Sequence, residues 1–338
     1  MKQYWRDAID GMAGYTPGEQ PDDPRIIKLN TNENPYPPSP RVQEALRTAD
    51  SHAWRRYPDP MADKLRTMLA EQLDVNRENI LCGNGSDDLL TIAVRTFVPQ
   101  GGTLASPSPS YSLYEVLAQI QGVRHIPVPL DEAFELPTGC AQQAAGASLL
   151  FIVRPNAPTG NAFPLADMEK LCDTFPGIVW IDEAYADFAR DNCLSFIRRH
   201  ENAIVSRTLS KSYSLAGLRL GYAVAGEELI RQMIKVKDSY NVSMFTQQAA
   251  RAAVSDAAWM RDNCRRIRRT RDRTAERLRS LDFHVIPSEA NFLFAAPPIP
   301  AETYFEALRE KKILLRYFPG ERTGRFVRIT VGTEPEMD

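Results

Sequence analysis

The chain has 338 residues, 43% apolar and 25% charged, with a formal net charge of −2 at pH 7. That is enough chain for a substantial core and about two domains, and its near-neutral balance gives no field that would select nucleic acid or an anionic membrane. No apolar run approaches the ~18 residues of a membrane span, the N-terminal Met1-Lys2-Gln3-Tyr4-Trp5-Arg6-Asp7 lacks a signal-peptide core, and the five cysteines are odd in number and widely spaced, so reduced thiols in the cytoplasm are expected and no metal site is.

In chain order, the first forty residues are rich in Pro, Asn and Gly, with Pro35, Pro37, Pro38 and Pro40 in close succession. They predict an extended N-terminal arm (1–40) with little regular structure. From residue 41 to about 235, apolar strands alternate with helical patterns. Strands are predicted at 79–82, 102–105, 123–128, 149–153, 178–182 and 203–205, and helices between them at 87–97, 111–121 and 165–174. Strands that are apolar throughout belong to a sheet covered on both faces, and alternation with helices makes that sheet mostly parallel. Beyond residue 226 long helical stretches (227–240 and 256–281) precede shorter strand signals at 283–286, 291–295, 313–316 and 326–329. These read as a smaller α+β domain (236–338) onto which the arm folds back. The 256–281 helix carries nine arginines, but Asp262, Asp272 and Glu276 interrupt them and no aromatic residues interleave. A solvated helix face is the expected reading, not a nucleic-acid surface.

The chemistry collects where strands end, as in other open α/β sheets. After the strand at 203–205 comes Ser206-Arg207-Thr208-Leu209-Ser210-Lys211-Ser212, with Arg219 eight residues beyond Lys211. A lysine amid small hydroxyl residues, with a nearby guanidinium, suits an amine that bonds covalently to a phosphorylated aldehyde. Asp182 closes an apolar strand, so its carboxylate needs a cationic partner such as a protonated pyridine nitrogen. Tyr185 follows three residues on and offers a phenol to a ring oxygen. Cys82-Gly83-Asn84-Gly85-Ser86-Asp87 is a glycine-bearing turn from strand to helix, the arrangement that presents backbone N–H groups to phosphate. The same residues also suit an ordinary turn with Ser86 or Asp87 as helix cap. Tyr111, after the strand at 102–105, supplies an aromatic face worth about 0.5–1.5 kcal/mol in stacking. Arg154-Pro155-Asn156-Ala157-Pro158-Thr159-Gly160 makes another turn at the same sheet edge.

These motifs, with Leu29-Asn30-Thr31-Asn32-Glu33-Asn34-Pro35, Arg56-Tyr57-Pro58-Asp59-Pro60 and Arg328-Ile329-Thr330-Val331-Gly332-Thr333, resemble the pyridoxal-phosphate aminotransferases of fold type I, the histidinol-phosphate aminotransferase family above all. The resemblance spans nearly the whole chain and implies transamination in histidine biosynthesis. It implies that Lys211 holds pyridoxal 5'-phosphate covalently and shuttles a proton, with Asp182 on the ring nitrogen, Tyr185 on the ring oxygen and Tyr111 stacked on the ring. Gly85, Ser86, Asp87, Thr208, Ser210 and Arg219 would hold the phosphate. Tyr57 would reach the partner's cofactor, which makes the expected assembly a homodimer. Arg328 would clamp the substrate carboxylate, while Tyr15, Asn32 and Arg316 would contact substrate. Two departures stand out: Ala157 replaces the family's ring-contacting Asn, leaving Asn156 one place earlier, and the chain stops soon after Glu334. A threonine-phosphate decarboxylase, a broad-range or aromatic aminotransferase, and a non-enzymatic cofactor-binding module are the alternatives.

Overall fold

The computed structural model describes residues 4–338 and contains three sheets. Their strands, in chain order, are β1 Ile27–Lys28, β2 Ile80–Gly83, β3 Thr103–Ser108, β4 Arg124–Pro129, β5 Leu149–Val153, β6 Ile178–Asp182, β7 Ala203–Thr208, β8 Gly221–Ala225, β9 His284–Val285, β10 Phe292–Ala296, β11 Ile313–Leu314, β12 Arg316–Tyr317 and β13 Val327–Thr330. The large sheet has the order β2-β8-β7-β6-β5-β3-β4. Its strands run parallel except β8, which is antiparallel to both β2 and β7.

β5 is buried at every position, as a strand covered on both faces must be. One face packs Leu90, Phe151, Trp180 and Ile204 beneath the helices Ser86–Phe97 and Leu113–Gln121. The other packs Ile152, Val179 and Val205 against Met168 and Leu171 of the helix Leu165–Thr174. Each fully buried aliphatic or aromatic side chain contributes about 1.5–3 kcal/mol, so these two layers hold the strand ends in place. The antiparallel sheet β12-β13-β10-β9 encloses a smaller core of Leu293, Leu315 and Val327. The N-terminal arm joins it through the parallel pair β1–β11 and through Thr330 N–H, which donates to the Leu29 carbonyl.

Several elements differ from the sequence expectation. β8 was not anticipated: five small and apolar residues become a strand only because two neighbours supply the ladder. The helix Met244–Val254 was also missed; it lies on the helices Pro40–Arg47 and Asp63–Leu73 and buries Ala249, Ala250 and Ala253 in the large-sheet core. The predicted 227–240 helix ends at Ile234, ahead of Asp238 and Ser239, both poor helix formers, whose carbonyls accept from Lys237 Nζ. The 111–121 helix begins at Leu113, which leaves Tyr111 on the preceding turn. The single strand expected at 313–316 divides at Leu315, β11 pairing with the arm and β12 with β13. Among the described residues no helix is long and apolar enough to cross a membrane.

Candidate active site

A cavity of about 710 Å³ opens where β5, β6 and β7 end, roofed by the arm and the small sheet. Lys211, Asp182, Tyr185, Tyr111, Ser86, Asp87, Thr208, Ser210, Arg219, Tyr15, Asn32, Arg316 and Arg328 all line it. Residues separated by up to 313 positions thus converge on one space.

Lys211 follows β7, and its Nζ donates to the Thr31 carbonyl of the arm at 3.0 Å. Desolvation, reinforced by the cation of Arg328, lowers its pKa from 10.5 to about 8. The amine is therefore a ready nucleophile near neutrality. In the cofactor-free protein, the rate of aldehyde capture should climb with pH and level off above about 8. Stopped-flow absorbance between about pH 6 and about pH 10 reads this, and a continued climb towards 10.5 would contradict the burial argument.

Asp182 ends β6 with 3% of its surface exposed. Its Oδ1 accepts from Ala184 N–H at 3.1 Å and its Oδ2 from the Tyr114 hydroxyl at 3.2 Å. Burial raises its pKa to about 7 despite those bonds, and among the described residues it has no salt-bridge partner. A buried carboxylate of this kind awaits a cation, and a pyridinium N–H meets that need. Tyr114 was the residue sequence reasoning passed over. Its ring stacks on Phe151 at 4.6 Å, which fixes the hydroxyl on Asp182. The signal was the one-turn spacing of Tyr111 and Tyr114.

The phosphate end is built from a helix start and a loop. Gly85, at φ +84°, is the N-cap of the helix Ser86–Phe97, and a Cβ there would collide with the Arg219 guanidinium. Gly85 does not line the cavity; its lack of a side chain is what admits Arg219. A Cβ on Gly221 would come within 2.7 Å of Ser86 N, so β8 also presses close to this cradle. First-turn N–H groups of a helix have no intrahelical acceptor and favour anions. Arg219 reaches Asp87 Oδ2 at 3.2 Å, while the Tyr111 hydroxyl donates to Asp87 Oδ1 at 3.1 Å. The Asp87 carboxylate therefore aims both a guanidinium and an aromatic ring. Thr208 and Ser210 hydroxyls, 3.0 Å apart, complete the cradle. Lysine, buried acid, aromatic wall and anion cradle together fit pyridoxal phosphate.

Across the cavity Arg328 extends from β13. Its Nη2 donates to the Asn30 carbonyl at 2.9 Å, its guanidinium lies over Phe292 and Phe318, and its buried Nε has no hydrogen-bond partner. Arg316 donates to Thr16 and Pro17 carbonyls and also lies over Phe318. Burial and the neighbouring Arg316 cation depress the Arg328 pKa. Two guanidiniums facing one cavity without a carboxylate between them make a receptor for anions. Tyr15 packs edge-on against Tyr111 at 5.9 Å, closing the arm side. Arg328→Ala should lower kcat/KM for an α-carboxylate donor about 100-fold, the worth of a charge-assisted pair. Steady-state kinetics would refute the clamp if the loss were under about threefold.

Two expectations are revised, those for Asn156 and Asn32. Asn156 is wholly buried: its amide donates to the Pro109 carbonyl and to Thr159, its Oδ1 accepts from Ser110, and it does not line the cavity. Ala157 does, so no asparagine stands at that wall. Tyr57 is 77% exposed, stacked on Tyr240 at 4.4 Å, outside the cavity of its own chain. Asn32 lines the cavity, but all its polar groups bond to protein, including Nδ2 to Tyr185 Oη at 3.0 Å.

The fold and site define an aminotransferase. The family described as Aminotransferase class I and II matches residues 24–338, and the chain belongs to that family. Over 336 residues it is 43% identical to the histidinol-phosphate aminotransferase of Rippkaea orientalis (strain PCC 8801 / RF-1), covering 98% of this chain and 95% of that protein. The corresponding protein of Synechocystis sp. (strain ATCC 27184 / PCC 6803 / Kazusa) is 44% identical over the same shares. Among solved structures, the histidinol-phosphate aminotransferase of Sinorhizobium meliloti in complex with pyridoxal-5'-phosphate superposes with a TM-score of 0.90 at 24% identity, covering 100% of this chain and 95% of that one.

Proposed function

We propose that the protein is a pyridoxal-phosphate-dependent aminotransferase that interconverts L-histidinol phosphate and 2-oxoglutarate with imidazole-acetol phosphate and L-glutamate, a step of histidine biosynthesis. The observation that carries this reading is one cavity holding Lys211 and Asp182 opposite two guanidiniums without carboxylate partners, Arg316 and Arg328. Family membership and relatives at 43–44% identity support it.

When bound, pyridoxal phosphate supplies an aldehyde that takes the amino group covalently and a ring that accepts the electron pair left at the substrate Cα. Asp182 keeps its carboxylate ionised against the ring nitrogen, and Tyr185 offers its hydroxyl to the ring oxygen. Ser86, Thr208, Ser210 and Arg219 anchor the phosphate. Lys211 Nζ, free once the substrate amine has taken its place, would take the proton from the substrate Cα and deliver it to the cofactor's former aldehyde carbon, on the far side of the amine nitrogen. Arg328 orients the glutamate α-carboxylate. Histidinol phosphate has no carboxylate, so its phosphate meets the same cationic wall, where Arg316 adds the second positive charge. Tyr15 and Tyr111 exclude water from the reacting carbon.

The enzyme works as a cytoplasmic homodimer in this reading, with Tyr57 crossing to the partner's cofactor phosphate. Its 77% exposure and its stacking on Tyr240 beside the exposed pair Trp54–Phe245 support that role. The chain divides into an arm (1–40), a large cofactor-binding domain (41–235) and a small domain (236–338). The deciding assay supplies glutamate and imidazole-acetol phosphate to the cofactor-loaded protein and follows 2-oxoglutarate. Robust release is expected. Carbon dioxide from phosphothreonine would indicate the decarboxylase instead, and faster turnover of aromatic 2-oxo acids a broad-range enzyme.

A further inference from the structure

Three consecutive arm residues each touch a different working part of the site. The Asn30 carbonyl accepts from Arg328 Nη2 at 2.9 Å, the Thr31 carbonyl from Lys211 Nζ at 3.0 Å, and Asn32 Nδ2 donates to Tyr185 Oη at 3.0 Å. Asn32 is almost fully buried, with φ +56° in the left-handed region that asparagine tolerates better than most residues.

The direction of its hydrogen bonds is fixed from the backbone outward. Asn32 N–H donates to Thr330 Oγ1 at 3.0 Å, and a backbone N–H can only donate. The Thr330 hydroxyl also has a proton to place, and among the described residues its acceptor is Asn32 Oδ1 at 3.1 Å. That sets which end of the amide is oxygen and leaves Nδ2 facing the phenol. The Asn32 carbonyl is itself pinned by Asn291 Nδ2 at 3.0 Å. Tyr185 Oη therefore accepts from Asn32 and keeps its own proton for another acceptor, on the cavity side. Asn156 is committed elsewhere and Ala157 has no side-chain donor, so neither residue of that turn offers a side-chain amide to share the task.

We propose that Asn32 is a positioning residue that fixes the hydrogen-bond polarity of Tyr185, aiming the phenolic proton at the cofactor's ring oxygen and so doing indirectly what an asparagine at position 157 would do by contact. The inference rests on the pyridoxal-phosphate reading and goes beyond it by giving the arm and the small sheet, through Thr330, a say in the electronics of the ring. It replaces the expectation that Asn32 contacts substrate.

The charged and titratable groups facing Tyr185 are Arg328 from β13, Asp182 from β6, Tyr15 from the arm, and Tyr111 and Tyr114 from the turn and helix after β3. None of them is altered by Asn32→Gly, which keeps the left-handed backbone and adds no charge. A donor to the ring oxygen favours its anionic form and competes with proton uptake at the neighbouring nitrogen. Weakening that donor should raise the midpoint of the visible-absorbance titration of the holoenzyme, by about one pH unit for Asn32→Gly. Tyr185→Phe should raise it at least as far, and the double variant no further than Tyr185→Phe alone. Should Asn32→Gly not fold, Thr330→Val removes the hydroxyl that sets the amide's direction and should raise the midpoint likewise. A wild-type midpoint in the folded single variant, or an Asn32→Gly shift undiminished in the Tyr185→Phe background, overturns the inference. Failure of the underlying reading looks different: the wild-type protein would then show no visible band that disappears in Lys211→Ala.

Discussion

Lys211→Ala is expected to lower kcat by about 10⁴-fold or more, the upper range for a positioned acid–base group, and to abolish the visible absorbance of the lysine-bound cofactor. Lys211 performs two tasks that no neighbour can assume. In the proposed mechanism it is the amine that bonds to the aldehyde, and its Nζ, sitting against the Thr31 carbonyl inside the cavity, is the base for the substrate Cα. Its pKa of about 8 matches both, because an amine at 10.5 would be almost entirely protonated at neutral pH. The phosphate cradle at Gly85–Ser86 and Arg219 does not depend on the lysine. The variant should therefore still bind cofactor reversibly, and dialysis followed by phosphate analysis separates lost chemistry from lost binding. An active, yellow Lys211→Ala protein would remove the foundation of the reading.

Asp182→Asn should lower kcat by about 10²–10³-fold, the usual loss when one preorganised electrostatic partner of a reacting system is removed. The amide is nearly isosteric and retains an oxygen for the Ala184 N–H, so the fold should persist. What disappears is the negative charge that, in the proposed mechanism, keeps the ring nitrogen protonated. The same carboxylate leaves a signature in the cofactor-free protein. Its folded pKa, about 7, stands above the ordinary 3.8, so between those values the folded state binds more protons than the unfolded one. By linkage, its contribution to stability falls as pH rises through that window. Asp182→Asn should flatten the decline between about pH 4 and about pH 7 in denaturant titrations, and bound cofactor should flatten it in the wild type by supplying the cation. An unchanged slope in the variant would show that another group carries the effect.

Much of this protein was legible before folding. Lys211, Asp182 and the turn at Gly85–Ser86 announce themselves because each follows a short all-apolar run, and a strand end is where an open α/β sheet places its chemistry. The doubly covered sheet followed from the same runs, since apolar positions in succession require helices on both sides. Other features depended on partners far along the chain. Tyr114 meets Asp182 across 68 positions, and Asn32 meets Tyr185 across 153 and Thr330 across 298. No local pattern encodes such pairings, because they arise only when the arm, the large sheet and the small sheet pack together. Asn156 illustrates the converse: a polar residue in a promising turn is turned inward by Pro109 and Thr159, since a buried amide must satisfy its hydrogen bonds wherever partners lie. β8 likewise became a strand only where β2 and β7 left an unpaired edge on each side. The chain by itself determined which groups carry the chemistry and the layers that present them; tertiary structure decided their hydrogen-bond partners and polarity, because those bonds join segments that only packing brings within reach.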